Sequence, residues 1–172
     1  GGLLIIGGVG SGKSTVLQTI VYGLIQQYTA EELHIYGMDL GNQSLQAFEM
    51  APQVGGMVLP DDSERIGRCF RMLKVQMEQR KKQMRGGTYE QYRLRASERL
   101  PAILLLIDDY SEFRERTENR YEKQLVRIAK EGISCGIYLI VTAAGVGMAE
   151  IPMSIARSIR QVLCLSLPDR FQ

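Results

Sequence analysis

Histidine occurs once in the 172 residues, at His34, tryptophan is absent, and cysteine occurs only at Cys69, Cys135 and Cys164. One histidine argues against Ser–His or Cys–His nucleophilic machinery, which needs an imidazole base beside the nucleophile. His34 opens an apolar run and reads as a strand residue rather than a ligand. Three cysteines without a Cys-x-x-Cys pair argue against a disulfide framework or a zinc site, and fit a reducing cytosolic compartment. No apolar run approaches the ~20 residues that cross a bilayer, which excludes a membrane span within these residues though not in a longer parent.

Neither acidic nor basic residues are in large excess. The net charge is only +2, but residues 61–100 hold 11 Lys and Arg against 6 Asp and Glu. That basic segment reads as a solvated helix face or as a surface for a polyanion or a neighbouring subunit. The composition is otherwise that of an ordinary globular domain, 45% hydrophobic and 23% charged. A chain of this size buries roughly 70% of the surface it exposes when unfolded, enough for one core. The sequence opens almost at once on an apolar run, Leu3-Leu4-Ile5-Ile6. The expectation is a single domain over 1–172, excised from a longer multidomain protein.

Five apolar runs predict strands: Leu3–Ile6, Leu33–Met38, Ile103–Ile107, Ile137–Thr142 and Val162–Ser166. They are continuous rather than alternating, as strands buried on both faces are. Three- and four-residue spacings between them predict helices: one with Leu17, Ile20, Val21, Leu24 and Tyr28, a long one from about Asp62 with Ile66, Phe70, Leu73, Met77 and Met84, and one over about Asn119–Glu131 with Leu125, Ile128 and Ala129. The methionines of the long helix read as core filler. Alternating strands and helices imply an open, mainly parallel α/β sheet with helices on both faces, whose ligand lies beyond the carboxyl ends of the strands.

One loop carries recognisable chemistry. Gly7-Gly8-Val9-Gly10-Ser11-Gly12-Lys13-Ser14-Thr15 matches G-x-x-x-x-G-K-[ST], after a predicted strand and before a predicted helix. Glycines let the backbone turn its N–H groups inward around phosphates, and the helix start adds free donors and the positive dipole end. Lys13 would place a charge on the β- and γ-phosphates, and the Ser14 hydroxyl would ligate Mg²⁺. The expected cofactors are therefore ATP and Mg²⁺.

The run Ile103–Ile107 ends in Asp108-Asp109. A buried strand would deliver Asp108 to the sheet edge, next to Mg²⁺, as a Walker B carboxylate. Asp109 stands where many such ATPases place a water-polarising Glu, and capping the following turn is an equal alternative. Thr142 ends the next apolar run, as a γ-phosphate sensor or as a plain strand terminus. Arg157 and Arg160 follow, as arginine-finger candidates or as surface charge.

Nearly the whole chain resembles the FtsK/SpoIIIE ATPase family. Beyond the Walker motifs, Ile35-Tyr36-Gly37-Met38-Asp39-Leu40-Gly41 is similar to that family's second strand and Asp-Phe-Gly turn. Ala51-Pro52-Gln53-Val54-Gly55-Gly56 resembles its Leu-Pro-His-Val-Gly segment. Met77-Glu78-Gln79-Arg80 and Thr88-Tyr89-Glu90-Gln91-Tyr92 resemble its arginine-bearing helix and the turn after it. Within the family the chain is most similar to the C-terminal ATPase module of the EssC/EccC proteins of type VII secretion. Asp108-Asp109-Tyr110 and Ala129-Lys130-Glu131-Gly132-Ile133-Ser134-Cys135-Gly136-Ile137 carry that similarity. At the sensor the chain reads Val141-Thr142-Ala143-Ala144-Gly145, where the family's DNA pumps have Ala-Thr-Gln-Arg-Pro.

The resemblance implies a RecA-like P-loop fold and an ATP-binding motor module; the departures from it, Asp109 where the DNA pumps carry Glu and Ala143-Ala144 where they carry Gln-Arg, lead to an expectation of weak hydrolysis. The resemblance also implies assembly with other ATPase modules of the same chain or in a ring, recognition of small helical-hairpin (WXG100-type) secreted substrates, and a place on the cytoplasmic face of the cell membrane within an anchored parent. Two other readings stay open at this point. One is a double-stranded DNA translocase using the basic segment as a phosphate track, and the other is a non-catalytic module that binds nucleotide only for structure.

Overall fold

The computed structural model describes residues 2–95, 99–147 and 150–165. Six strands form one sheet: β1 (Leu3–Ile6), β2 (Leu33–Asp39), β3 (Val54–Val58), β4 (Ala102–Asp108), β5 (Ile137–Ala143) and β6 (Gln161–Cys164). Their order is β3-β2-β4-β5-β1-β6, and every pairing is parallel. All five predicted strands are present within a few residues of their expected bounds; Ser166, the predicted end of the last, lies outside the described residues.

The helices are α1 (Lys13–Gln27), α2 (Ser63–Met84), α3 (Tyr89–Arg95), α4 (Tyr110–Thr117), α5 (Glu122–Glu131) and α6 (Met153–Ala156). They cover both faces of the sheet unequally. Leu17 and Val21 of α1 pack with Ile5, Ile35, Leu104, Leu106 and Ile140 on one face. On the other, Phe70 and Met77 of α2, Phe113 of α4, Leu125 and Ile128 of α5 and Ile155 of α6 pack with Ile103, Leu105, Ile107, Leu139 and Val141. The three methionines of the long helix divide accordingly: Met77 and Met84 are buried and Met72 half-buried.

Strand β3 and helices α3, α4 and α6 are additions to the sequence-based expectation. Val54-Gly55-Gly56-Met57-Val58 contains two glycines and so lacks a continuous apolar run. Its glycine has a packing reason: a Cβ on Gly55 would come within 2.5 Å of the Tyr36 ring on β2. The segment expected to form a turn at Thr88–Tyr92 instead starts α3. Its first residues are held by an exchange in which Thr88 N–H donates to Gln91 Oε1 and Gln91 N–H donates to Thr88 Oγ1, a reciprocal cap of the kind that favours helix over turn.

Arg80, on α2, is 2% exposed. Its guanidinium donates to the carbonyls of Cys135 (3.0 Å) and Pro101 (2.6 Å) and lies 5.9 Å from the centre of the Tyr89 ring. Tyr89 in turn donates its hydroxyl to Leu100 O at 2.7 Å. Together they fasten the chain just before β4 and β5, the two strands that deliver Asp108 and Thr142.

Candidate functional site

A strand alternates faces with period two. Leu104 and Leu106 face α1, so Asp108 does as well; Ile140 faces α1, so Thr142 does; Ile35 faces α1, so Asp39 does. The carboxyl ends of β2, β4 and β5 thus carry three buried polar residues side by side on the face of α1. The loop of residues 7–12 leaves the end of β1 and enters α1 at that same edge. Strand β5 lies between β1 and β4, so Thr142 stands between the Gly-rich loop and Asp108.

The loop is anchored by Gly7 N–H donating to Ala143 O (3.0 Å), Ser11 N–H to Gly8 O (3.1 Å) and Val16 N–H to Gly12 O (3.0 Å). Gly10 and Gly12 have φ of +79° and +94°, a region that side chains disfavour, and a Cβ at either would meet open space. Glycine is required there by conformation, not by crowding. Among the described residues the buried Ser11 hydroxyl has no hydrogen-bond partner. Open glycines, a polar atom lacking a partner and a Lys-Ser pair at a helix start form a cradle whose chemistry fits a phosphate chain.

Thr142 Oγ1 donates to Asp108 Oδ1 at 2.6 Å, in a buried contact. Ser44 Oγ lies 3.5 Å from Asp108 Oδ2. The Asp108 backbone carbonyl accepts from Leu40 N–H (2.6 Å) and Gly41 N–H (3.0 Å), which fastens the end of β4 to the turn after β2. A carboxylate and the Ser14 hydroxyl are hard oxygen donors of the kind Mg²⁺ takes, usually alongside substrate phosphates and water. Ser14 and Asp108 are therefore the residues that could hold it, and Mg²⁺ would neutralise charge on the phosphates.

Asp109 caps α4. Its Oδ1 accepts from Ser111 N–H at 3.3 Å and its Oδ2 from Ser111 Oγ at 3.1 Å. Both oxygens are engaged within the helix cap. Arg157 and Arg160 are exposed and lie between α6 and β6.

Three further residues belong to the site: Asp39, within the segment that resembles the family's second strand and turn but given no role there, and Asn42 and Ser44, which no motif covers. Asp39 is fully buried, and its Oδ2 accepts from Leu45 N–H (3.2 Å) and Gln46 Nε2 (2.8 Å), while Oδ1 has no partner among the described residues. Burial pushes its carboxyl above the ordinary aspartate value; the Gln46 and Leu45 hydrogen bonds oppose this, and the neighbouring Asp108 charge adds to it. Asn42 Nδ2 donates to Ser14 Oγ at 2.8 Å. Ser44 joins the same turn to Asp108 and, through its carbonyl, to Gln18 Nε2 of α1 (2.8 Å). The available signal was the Asp at the carboxyl end of a buried strand, where ligands of open α/β sheets bind.

Comparison with known proteins agrees with this geometry. The family model described as FtsK/SpoIIIE family matches residues 1–94. The chain is 31% identical over 156 residues to the ESX secretion system protein EccC of Geobacillus thermodenitrificans, covering 89% of this chain and 10% of that protein. It is 30% identical over 149 residues to the ESX secretion system protein YukB of Bacillus subtilis, covering 85% and 10%. It thus spans about a tenth of the length of these relatives. Among solved structures, the cytoplasmic domain of EssC superposes with a TM-score of 0.88 at 28% identity, covering 99% of this chain and 34% of that one. EccC ATPases 2 and 3 of Thermomonospora curvata, in complex with a signal sequence peptide, superpose at 0.85 and 25% identity, covering 95% and 31%. These matches show that the chain belongs to the FtsK/SpoIIIE family, as a homologue of the RecA-like EssC/EccC ATPase domains of type VII secretion systems.

Proposed function

We propose that this domain is a nucleotide-binding motor module of a type VII secretion system, which binds Mg·ATP between the 7–15 loop and Asp108 and hydrolyses it slowly on its own. In this reading the backbone of Gly7–Gly12 with Ser11 and Thr15 surrounds the phosphates, Lys13 contacts them, and Ser14 and Asp108 hold the metal. Thr142 stands at the sensor position.

The observation that carries the slow-hydrolysis reading is the engagement of Asp109. Phosphoryl transfer needs a group that orients the attacking water and charge that stabilises the transition state. The carboxylate next in line after Asp108 has both oxygens tied to Ser111, and Thr142 already donates to Asp108. An arginine finger from a neighbouring module would supply about 10³–10⁵ in rate, so ATP turnover would depend on assembly. Other ATPase modules of an anchored parent and small secreted helical hairpins are the partners of this reading. The homology to EccC and EssC supports it, as does the signal-peptide complex of the Thermomonospora protein.

The basic segment lends less support to a DNA track. Arg65, Lys81, Arg93 and Arg99 each lie within ion-pair distance of a carboxylate, and Arg80 is buried.

The test is to measure nucleotide affinity and single-turnover hydrolysis on one sample, with Lys13→Ala beside the unaltered chain. Tight Mg·ATP binding with turnover well below one per second, and binding lost in Lys13→Ala with the melt unchanged, is the expected result. Turnover of several per second by the isolated domain, or unchanged affinity in Lys13→Ala, would refute it.

A further inference from the structure

The turn between β2 and the short 3₁₀ segment Gln46–Phe48 reaches the start of α1. At its tip Asn42 is exposed, yet its amide is fixed at both ends. Ser44 N–H donates to Asn42 Oδ1 at 3.2 Å, which identifies that atom as the carbonyl oxygen and turns Nδ2 toward Ser14 Oγ, 2.8 Å away. The turn itself is tied to three elements. Asp39 Oδ2 of β2 accepts from Leu45 N–H and Gln46 Nε2, Gln18 of α1 donates to the Ser44 carbonyl, and the Ser44 hydroxyl faces Asp108 of β4.

A serine oxygen has two lone pairs and one proton, and its side chain has three staggered rotamers. The Asn42 amide occupies one lone pair and selects one rotamer. A second lone pair remains for a cation.

We propose that Asn42 is a positioning residue for Mg²⁺: it holds the Ser14 hydroxyl in the rotamer that ligates the metal, and the turn that carries it joins Ser14 to Asp108. This rests on reading the site as one for Mg·nucleotide. Groups that orient a metal ligand typically affect metal affinity by about 10- to 100-fold.

The experiment titrates a non-hydrolysable ATP analogue into the unaltered domain, Asn42→Ala, Asn42→Asp and Lys13→Ala, each with Mg²⁺ and with EDTA. In Asn42→Ala, affinity in EDTA stays within about twofold, the gain on adding Mg²⁺ shrinks by about tenfold, and the melting temperature holds because the residue is exposed. In Asn42→Asp the gain returns, since the new carboxylate accepts from the Ser14 hydroxyl and adds negative charge beside the cation. An undiminished Mg²⁺ gain in Asn42→Ala overturns the proposal. So does an equal loss with Mg²⁺ and with EDTA, which would mark a merely structural role. If the unaltered domain binds no nucleotide, or Lys13→Ala binds as well as it does, the reading of the site fails instead.

Discussion

Thr142 on β5 donates its hydroxyl to Oδ1 of Asp108 on β4 at 2.6 Å, and both side chains are buried. Without that donor a buried carboxylate oxygen would be left lacking its partner. Thr142→Val, which keeps shape and removes the donor, is expected to destabilise the domain by about 1–3 kcal/mol. Thr142→Ser should recover most of the loss. Chemical denaturation of the three proteins measures it; equal stability of the Val and Ser variants would show that the contact contributes nothing.

Asp109 offers a direct separation of capping from catalysis. Removing an N-cap side chain costs about 1 kcal/mol. Asp109→Ala should therefore lose that much stability while single-turnover hydrolysis changes by less than about threefold. A drop of tenfold or more with stability intact would instead make Asp109 the group that activates water.

Arg80 carries a different expectation, because its contacts lie away from the site. Replacing it with Met keeps the bulk but leaves Pro101 O and Cys135 O without their donor. The predicted cost is about 2–4 kcal/mol, or roughly 5–15 °C in Tm. Nucleotide affinity measured well below the transition should stay unchanged, and a selective loss of affinity at normal stability would contradict the clamp.

The cysteines should differ in reactivity. Burial pushes the Cys69 thiol up to about 12, which leaves on the order of one thiolate in ten thousand at pH 8. Cys164 is exposed on β6, and Cys135 is buried. Brief alkylation at pH 8 followed by peptide mass mapping should label Cys164 first and leave Cys69 and Cys135 largely unmodified. Early labelling of Cys69 would mean that α2 opens readily from the sheet.

The frame could be read from the chain alone: five of the six strands among the described residues, the helices around Leu17, Phe70 and Leu125, and the Gly-rich loop ahead of α1. These were legible because each depends on local order, on apolar runs long enough for a buried strand, on helical spacing, or on a loop whose glycines and lysine are contiguous. Strand β3 was hidden because the Tyr36 ring packs against it and requires glycine where a strand pattern would show side chains. Helix α4 was hidden because eight residues give too little periodicity.

Which polar groups meet depends on how the strands and turns come together in space. Asp39, Asp108 and Thr142 are scattered over more than a hundred positions, and their contact follows from strand order and from the parity of each strand's last residue. The same holds for Asn42 and Ser14, 28 residues apart, which meet because the turn after β2 folds over the start of α1. A linear sequence can state that Asp109 follows Asp108. It cannot state that the backbone of α4 claims the Asp109 carboxylate, because that depends on where the next helix begins and which N–H groups it leaves free.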